Sequence, residues 1–310
     1  MKRPRHFLTI TDLNERELGG LLREAAAAKR QRSRGSSALA GQVVALVFQK
    51  PSMRTRVAFE VAVLELGGSV ISLGQEDIQL GLREPIKDVA RVLSRYVDAI
   101  VARTFAHSDV EEFARYASVP VINGLSDLVH PCQALADLFT IEEQFGRLKG
   151  LTVAYVGDGN NVLHSLVEGC GMTGVNVSVS TPAAYRPDGG IWSAAARRAK
   201  AHGARLRWTR DPSDAVRGAD VVYTDVWVSM GKESERTTRS KIFRPYQLNG
   251  ALLRRAKPGC RVMHCLPAHR GEEITDQVME GPRSLIFEQA ENRLHVQKAL
   301  LIMLLGRKTA

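Results

Sequence analysis

Short apolar runs alternate with helical patterns along nearly the whole chain. The runs show little apolar–polar alternation, which is typical of strands buried on both faces of a parallel sheet. The predicted strands are residues 43–48, 69–72, 99–101, 119–122, 152–156, 176–180, 220–224, 261–264 and 284–287. Between them, segments such as 135–145 and 162–172 carry apolar residues at helical spacing. This alternation predicts an α/β protein with doubly wound parallel sheets.

The length of 310 residues is sufficient for two cores of ordinary domain size. A polar stretch at 146–150 follows a long predicted helix and precedes a fresh strand. We therefore expect two domains of similar size, residues 1–146 and 147–289. The last predicted helix, 290–305, is very apolar and must pack on something. We expect the segment 290–310 to fold back against the first domain.

The formal net charge of +10 is compatible with a nucleic acid partner or with an anionic small molecule. The basic residues are scattered and lack interleaved aromatic residues, which favours solvated faces that steer an anionic substrate. Cys132, Cys170, Cys260 and Cys265 show no disulfide or zinc spacing. With no apolar run of membrane-spanning length and no secretory signal, the chain is predicted to be cytoplasmic.

Polar clusters follow most of the predicted strands. They occupy residues 52–56, 103–104, 130–133, 158–161, 225 and 265–267. In open parallel sheets, ligands bind outside the carboxyl ends of the strands, where the loops converge. Six polar clusters that each follow a predicted strand therefore predict a functional site at the carboxyl ends of the strands.

The segment 52–56, Ser-Met-Arg-Thr-Arg, lies between a buried strand and a helix that is apolar on most sides, which we expect to be enclosed within the protein. A helix N-terminus offers unpaired backbone N–H groups and partial positive charge, to which Arg54 and Arg56 add guanidinium groups. This combination predicts a receptor for a dianionic phosphate. The alternative is that Ser52 only caps the helix and the arginines are solvated.

His130 and Gln133 lie in His-Pro-Cys-Gln, where the proline marks a first helical position. A histidine at a helix start is often a cap, but Arg103 and the predicted phosphate site favour a catalytic interpretation. Together, the side chains of His130, Gln133 and Arg103 could polarise a carbonyl oxygen and stabilise the oxyanion formed on attack.

The turn 157–161, Gly-Asp-Gly-Asn-Asn, opens a helix after a strand, as nucleotide-binding turns do. Val162 stands where the third glycine would be, and the next strand lacks the acid that would hold a ribose. Asn160 and Asn161 suit hydrogen bonds to a small polar ligand; the alternative is that they serve only the conformation of the turn.

Asp225 ends a predicted strand and is the natural partner for a ligand ammonium group. The charged stretch 232–244, which follows in the sequence, has the composition of a lid that closes over substrate. The alternative is that Asp225 is a solvated residue at the start of a mobile loop. The segment 264–267, His-Cys-Leu-Pro, has no second ligand pair for zinc. A nucleophilic Cys265 would need a lowered pKa.

Taken together and in this order, four motifs resemble those of the ornithine carbamoyltransferases, in the aspartate/ornithine carbamoyltransferase superfamily. They are Ser-Met-Arg-Thr-Arg at 52–56, His-Pro-Cys-Gln at 130–133, Asp225 with Ser-Met-Gly at 229–231, and His-Cys-Leu-Pro at 264–267. The resemblance covers nearly the whole chain. It implies transfer of a carbamoyl group from carbamoyl phosphate to the δ-amine of ornithine, without cofactor or metal.

The resemblance also implies which residues act. Those that would bind carbamoyl phosphate are Ser52, Met53, Arg54, Thr55, Gln79, Arg103, His130, Pro131, Cys132, Gln133, Cys265, Leu266 and Arg293. Those that would bind ornithine are Asn161, Asp225, Ser229 and Met230. Catalytic roles fall to Arg103, His130, Gln133, Asp225 and Cys265. Gln79 would reach the site of a neighbouring subunit, which implies trimers or multiples of trimers.

Two residues depart from the family pattern. Met53 replaces the usual threonine, which matters little where only the backbone N–H is used. Pro85 stands where the family usually has serine or threonine, in the loop 79–87 that carries Gln79. Two alternatives stay open: a carbamoyltransferase for another amine such as putrescine, and a nucleotide- or nucleic-acid-binding regulator.

Overall fold

The computed structural model describes residues 4–31, 36–81, 83–229, 231 and 233–306. By internal contacts the chain divides into two compact units. Unit 1 comprises Met1–Phe139 and Asn292–Ala310, and unit 2 comprises Thr140–Glu291. The nine strands are β1 Val43–Phe48, β2 Ser69–Leu73, β3 Ala99–Arg103, β4 Val121–Leu125, β5 Thr152–Val156, β6 Asn176–Ser180, β7 Leu206–Thr209, β8 Val221–Tyr223 and β9 Arg261–Met263, as counted over the described residues.

Helices connect the strands, as parallel pairing requires. They are α1 Glu15–Gln31, α2 Met53–Glu65, α3 Gln75–Ile78, α4 Ile86–Leu93, α5 His107–Tyr116, α6 Pro131–Phe145, α7 Asn161–Thr173, α8 Gly189–Ala201, α9 Pro212–Val216, α10 Arg236–Phe243, α11 Gly250–Leu253, α12 Asp276–Met279 and α13 Ile286–Leu305. The predicted helices at 135–145 and 162–172 correspond to α6 and α7.

Both sheets pair in parallel throughout their described strands. Unit 1 has the order β2-β1-β3-β4, and unit 2 has the order β7-β6-β5-β8-β9. The order reverses between β1 and β3 in the first sheet and between β5 and β8 in the second. These reversals are the topological switch points at which open α/β sheets form ligand crevices. The predicted fold class, two doubly wound parallel-sheet domains, is therefore confirmed.

The last helix joins unit 1 over most of its length. The residues of α13 from Asn292 onward are part of that unit. Lys298 is almost completely buried and pairs with Glu65 of α2, while Gln42 Nε2 donates to the carbonyl of Leu305 at 3.1 Å. The predicted return of the C-terminal helix to the first half is confirmed.

One predicted strand is not a strand, and one strand of the structure was not predicted. The segment 284–287 is not a strand, because only Ser284 forms a bridge, to Val262, and α13 begins at Ile286. Its short apolar run continues into the first turn of α13. Hydrophobic periodicity cannot distinguish so short a run in a strand from one at the start of a helix. The missed strand is β7, in which Arg207 interrupts the apolar pattern and the side chains are half-buried or exposed, as an edge strand allows.

The helix α2 is buried on one face only. Phe59, Ala62 and Val63 are fully buried, whereas Val57 and Leu64 are 47% and 60% exposed. The expectation that this helix is enclosed on most sides was therefore wrong for the isolated chain. Ile71 of the edge strand β2 is also 46% exposed.

Candidate active site

The turn between β1 and α2 forms the first part of the candidate site. Ser52 has extended backbone and caps α2, because its hydroxyl accepts a hydrogen bond from the backbone N–H of Thr55 at 3.3 Å. Met53 begins the helix with its side chain 69% exposed. The capping alternative is thus correct for Ser52, and the helix N-terminus still adds its partial positive charge.

Two guanidinium groups converge on the buried hydroxyl of Thr55. Arg293, from α13, donates from Nη2 to Thr55 Oγ1 at 2.5 Å, and Arg103, from the end of β3, donates from Nη1 at 3.5 Å. Arg103 and Arg293 are 5% and 3% exposed. Concentrated positive charge at a helix N-terminus attracts an anion.

Arg56 does not belong to this cluster. Its Nε atom pairs with Glu60 Oε1 at 2.8 Å, one helical turn further along α2. The Glu60 carboxylate also accepts a hydrogen bond from Ser72 at 2.6 Å. Burial opposes the ionisation of Glu60, yet these two donors lower its pKa. Arg56 was expected to add its charge to the phosphate site, but its guanidinium group pairs with the Glu60 carboxylate instead.

His130 immediately precedes α6 and is buried beside the arginines. Its pKa is well below the ordinary value, first because burial disfavours the imidazolium and then because Arg293, Arg103 and Arg54 repel a further positive charge. His130 is consequently neutral at pH 7. Arg54 is thus one of the charges that act on the imidazole. A neutral imidazole can donate one hydrogen bond and accept another.

Gln133 lies in the first turn of α6 and is almost completely buried. Its Nε2 atom donates to Asp137 Oδ1 at 2.8 Å, which directs the amide nitrogen toward the carboxylate. The opposite atom, Oε1, has no hydrogen-bond partner among the described residues. Gln133 can therefore accept a hydrogen bond from a ligand N–H group.

Pro131 and Cys132 begin α6 between these two side chains. The Cys132 thiol turns away and donates to the carbonyl of Asn123, with an Sγ to O distance of 3.5 Å. Burial raises the pKa of Cys132 to about 12, although Arg293 opposes the shift. Cys132 is thus a protonated core thiol, and only its backbone is suited to contact a ligand.

Gln79 ends α3 in a left-handed conformation with φ 45° and an exposed side chain. A cavity of about 730 Å³ lies between this loop and the β1–α2 turn, lined by Ser52, Arg56 and Gln79 among others. Arg103, His130, Gln133 and Arg293 do not line it. The cavity therefore adjoins the Ser52 end of the candidate site and not the buried arginine cluster.

The second part of the candidate site lies in unit 2, at its switch point between β5 and β8. Asp225, which follows β8, is 4% exposed. Asn160 Nδ2 donates to Asp225 Oδ2 at 2.6 Å, and Cys265 Sγ donates to Asp225 Oδ1 at 3.0 Å. The predicted pair Asp225 and Cys265 is thus in direct contact. A buried carboxylate with remaining acceptor capacity suits a ligand ammonium group.

The segment after β9 is held by a buried histidine–carboxylate pair. His264 Nε2 lies 3.1 Å from Glu273 Oε1, and both side chains are fully buried. His264 Nδ1 accepts a hydrogen bond from the backbone N–H of Leu266 at 2.9 Å, which makes Nε2 the protonated nitrogen. This network orients the backbone next to Cys265. Leu266 itself has φ 58° and precedes a cis peptide bond to Pro267.

The remaining predicted ligand residues of unit 2 lie near Asp225 in the sequence or at the same switch point. Asn161 is the first residue of α7, and Ser229 follows β8 in a half-buried position. Met230 lies outside the described residues. Of the charged stretch behind it, residues 236–243 form α10, and Arg239 of this helix makes a buried ion pair with Asp158 at 2.8 Å. The predicted lid segment is therefore anchored through α10.

The glycine turn after β5 has a packing explanation. A Cβ atom at Gly159 would lie 2.4 Å from the backbone carbonyl carbon of Arg186 and 2.5 Å from Tyr185 O. Gly157 has φ 148°, which few other residues adopt. Both glycines are thus required by the turn and by the close approach of 185–187, so neither needs a nucleotide.

Two groups of side chains bring possible metal ligands within 4.8 Å of one another. One comprises Asp225, His264 and Cys265, and the other comprises His269, Glu272 and Glu273. In the first group, His264 uses both ring nitrogens in the hydrogen bonds described above. In the second, Glu272 Oε1 is bonded to Arg236 at 2.5 Å. Both groups therefore have an explanation as hydrogen-bonded networks.

Within the part of the chain that the structure describes, no helix combines the length and hydropathy needed to cross a bilayer.

The fold and these two centres define a protein of two parallel-sheet units, one with an anion-binding cluster and one with a buried carboxylate–thiol pair. Family comparisons match both units. Residues 5–143 match the aspartate/ornithine carbamoyltransferase carbamoyl-P binding domain, and residues 149–304 match the Asp/Orn binding domain of the same family. The chain belongs to the aspartate/ornithine carbamoyltransferase family.

Individual relatives agree with this assignment. An ornithine carbamoyltransferase of Archaeoglobus fulgidus is 52% identical over 98% of this chain and 99% of its own length. An anabolic ornithine carbamoyltransferase of Pyrococcus furiosus is 56% identical over 86% of this chain and 85% of its own. A solved structure of ornithine carbamoyltransferase from Pyrococcus furiosus superimposes with a TM-score of 0.96 at 51% identity, covering 99% of both chains.

Sequence reasoning missed the residues that support the site from behind. Arg239 and Glu273 were not singled out. Arg239 pairs with Asp158 and Glu273 pairs with His264, and no sequence-spacing rule connects the members of either pair. Asn160 was considered only as a ligand contact or a turn residue. Its hydrogen bond to Asp225 joins residues 65 positions apart. The signal that could have found it is the order of strands, since β5 and β8 are neighbours at the switch point.

Proposed function

We propose that the protein is an enzyme that transfers the carbamoyl group of carbamoyl phosphate to the δ-amine of L-ornithine, giving L-citrulline and phosphate. The observation that carries the proposal is full-length similarity to ornithine carbamoyltransferases, at 52% identity over 307 residues. A regulator of nucleotides or nucleic acids has no comparable support, because the glycine turn has its own packing explanation.

Carbamoyl phosphate binds in unit 1 through its phosphate. Its dianionic oxygens receive hydrogen bonds from Ser52, from the backbone N–H groups of Met53 and Arg54, and from Thr55. The guanidinium groups of Arg54, Arg103 and Arg293 neutralise the charge. The convergence of Arg103 and Arg293 on Thr55, with distances of 3.5 and 2.5 Å, supports this binding mode.

The carbamoyl group lies against the start of α6, formed by residues 130–133. Neutral His130 and Arg103 donate hydrogen bonds to the carbonyl oxygen, and Gln133 Oε1 accepts one from the carbamoyl NH₂ group. The lowered pKa of His130 supports a neutral donor, and the unpaired Oε1 atom of Gln133 supports the acceptor. These donors stabilise the oxyanion that forms when the carbonyl carbon is attacked.

Ornithine binds with its α-amino acid end on unit 2. Asp225 accepts hydrogen bonds from the α-ammonium group, and Asn161, Ser229 and Met230 bind the rest of that end. Cys265 and Leu266 lie next to the reacting groups of both substrates, and the Cys265 thiol orients the δ-nitrogen. The contact of 3.0 Å between Cys265 Sγ and Asp225 Oδ1 supports a shared role for the two residues.

The reaction begins with the neutral δ-amine, although an ordinary amine of this type has a pKa of about 10.4. Its lone pair forms the new C–N bond, and the carbonyl π electrons move to oxygen. The oxyanion then collapses, and the C–O bond to phosphate breaks. The proton lost by nitrogen passes to the departing phosphate, which is its natural acceptor.

The protein self-associates as a trimer or a multiple of trimers, so that Gln79 of one subunit reaches the carbamoyl phosphate of another. Val57, Leu64 and Ile71 are apolar side chains of unit 1 with exposures of 47%, 60% and 46%, which supports an interface on unit 1. The similarity to an anabolic relative supports the direction of arginine synthesis. None of the four cysteines, all within the described residues, forms a disulfide, which supports a cytoplasmic location.

The test is a side-by-side assay of carbamoyl transfer to ornithine, putrescine and aspartate, each at several concentrations. The proposal predicts that ornithine has the highest kcat/KM, by at least ten-fold. A preference for putrescine would identify the enzyme as a transferase for a different amine. An absence of transfer to all three, by enzyme that is folded and binds carbamoyl phosphate, would contradict the proposed activity.

A further inference from the structure

We propose that Asn160 is a positioning residue that fixes the orientation of the Asp225 carboxylate for the ornithine ammonium group; the inference rests on the proposed function. Asn160 lies in the turn after β5 and caps α7, whereas Asp225 follows the neighbouring strand β8. The side chain of Asn160 therefore joins the two elements that flank the switch point of the second sheet.

The oxygen of the Asn160 amide is fully committed to the helix and its strand. Oδ1 accepts hydrogen bonds from the backbone N–H groups of Val162 and Leu163, at 3.1 and 3.2 Å. It also accepts one from the Tyr155 hydroxyl at 3.4 Å. Three donors converge on this atom, so a rotated amide would direct its own N–H groups against other donors. The amide can therefore adopt only one orientation.

The nitrogen of the same amide is consequently directed at Asp225. Nδ2 donates to Oδ2 at 2.6 Å. The other carboxylate oxygen, Oδ1, accepts from Cys265 Sγ at 3.0 Å. The two contacts hold the carboxylate from opposite ends and leave its remaining lone pairs for a ligand.

An external restraint is needed because the last torsion angle of an aspartate side chain is soft. Rotation about this sp³–sp² bond has broad, two-fold minima, so the residue's own geometry does not set the carboxylate plane. Asp225 is 4% exposed, and a rotated carboxylate would meet the ammonium group with the wrong oxygen geometry. Asn160 supplies the restraint from a helix cap, which is itself rigid.

A pure capping role is the alternative, and the chain contains a matched control. Asn249 caps α11 in the same unit, where its Oδ1 accepts from the backbone N–H of Leu252 at 3.0 Å. Its amide nitrogen donates to Gln247 at 3.4 Å and not to Asp225. If asparagine at position 160 only capped a helix, changes at 160 and 249 would have comparable consequences for activity.

The experiment compares Asn160→Ser, Asn160→Asp and Asn249→Ser in the full-length enzyme. Serine keeps a capping hydroxyl but cannot donate to Asp225, whereas aspartate keeps the cap and places a second carboxylate against the first. We expect kcat/KM for ornithine to fall at least ten-fold in Asn160→Ser and further in Asn160→Asp. The Kd for carbamoyl phosphate should stay within two-fold in all three, and Asn249→Ser should keep its ornithine kinetics.

A double-mutant cycle with Asp225→Asn separates positioning from general loss of structure. In that background, Asn160→Ser should lower kcat/KM for ornithine by less than two-fold further, because the group it orients is gone. Full ornithine kinetics in Asn160→Ser would overturn the proposal, as would equal losses for both substrates. A failure of Asn160→Ser to fold, with Asn249→Ser folded, would assign Asn160 to stability and overturn it too. Wild-type enzyme without activity on ornithine would instead refute the proposed function.

Discussion

Arg54 and Arg56 provide a sharp test of the anion-binding cluster, because they flank Thr55 on one helix and serve different partners. Arg54 lies near enough to His130 to lower the pKa of the imidazole. Arg56 pairs with Glu60 at 2.8 Å, with side-chain exposures of 55% and 28%. We predict that Arg54→Met weakens carbamoyl phosphate binding strongly and that Arg56→Met, the matched control, does not.

The magnitude follows from the charge that is removed. Two unit charges 4 Å apart interact by about 4 kcal/mol at an effective dielectric constant of about 20. A hydrogen bond to a charged group contributes about 1.5–3 kcal/mol net. A loss of about 2–4 kcal/mol corresponds to a Kd about 30- to 700-fold higher, at about 1.4 kcal/mol per ten-fold. An exposed pair such as Arg56–Glu60 contributes about 0–1 kcal/mol to stability.

The assay is isothermal titration calorimetry of each variant with carbamoyl phosphate at one fixed, low salt concentration, since screening weakens exposed charges. Thermal unfolding without ligand verifies that both variants are folded. An unchanged Kd in Arg54→Met would refute the assignment of this guanidinium to the phosphate. Equal losses in both variants would show that the effect is long-range electrostatics and not a local contact.

Three further predictions follow from the same geometry. Asp225→Asn should raise the KM for ornithine at least ten-fold, as measured by steady-state kinetics, and leave the Kd for carbamoyl phosphate within two-fold. An unaltered KM for ornithine would contradict the assignment of Asp225 to the ammonium group. Burial and the three nearby arginines lower the pKa of His130 in the folded state. Below about pH 6.5 the unfolded chain therefore binds more protons than the folded protein. The free energy of unfolding consequently falls on acidification, by up to about 1.4 kcal/mol per pH unit. His130→Gln should remove that slope in urea unfolding at pH 5.5 to 7.5, and an identical slope in both proteins would sink the interpretation. Arg239→Met leaves Asp158 buried without its ion-pair partner and should destabilise the protein by about 3–5 kcal/mol. Lys257→Met removes a lysine that is 51% exposed from its pair with Asp220 and should cost less than about 1 kcal/mol; comparable losses in the two variants would contradict the role of burial.

Much of the fold could be predicted from the sequence, because buried parallel strands are continuous apolar runs. The bounds of β1, β5 and β6 agree with the predicted ones. The edge strand β7 escaped detection since half-exposed positions tolerate Arg207. The run at 284–287 misled because three or four apolar residues fit a strand end and a helix start equally well.

The site could be predicted only as far as motifs at strand ends allow. Residues 52–55, Arg103 and His130 were proposed as site residues because loops at one sheet edge converge. The direction of a side chain, in contrast, depends on its partners, some of which are remote in sequence. Arg56 turns to Glu60 at the i,i+4 spacing of a helical ion pair, a signal that the sequence offered and that was not used. The turn of the Cys132 thiol to the carbonyl of Asn123 has no sequence signature. The same holds for Asn160, whose partner became visible only when β5 and β8 were seen to be adjacent.

The most direct test of the central claim follows the carbamoyl carbon itself. Carbamoyl phosphate labelled with ¹³C is incubated with the enzyme and ornithine, and ¹³C and ³¹P spectra are recorded together. The account predicts that the label appears in the ureido group of citrulline with one phosphate released for each citrulline formed. Release of phosphate without a labelled ureido product would contradict it.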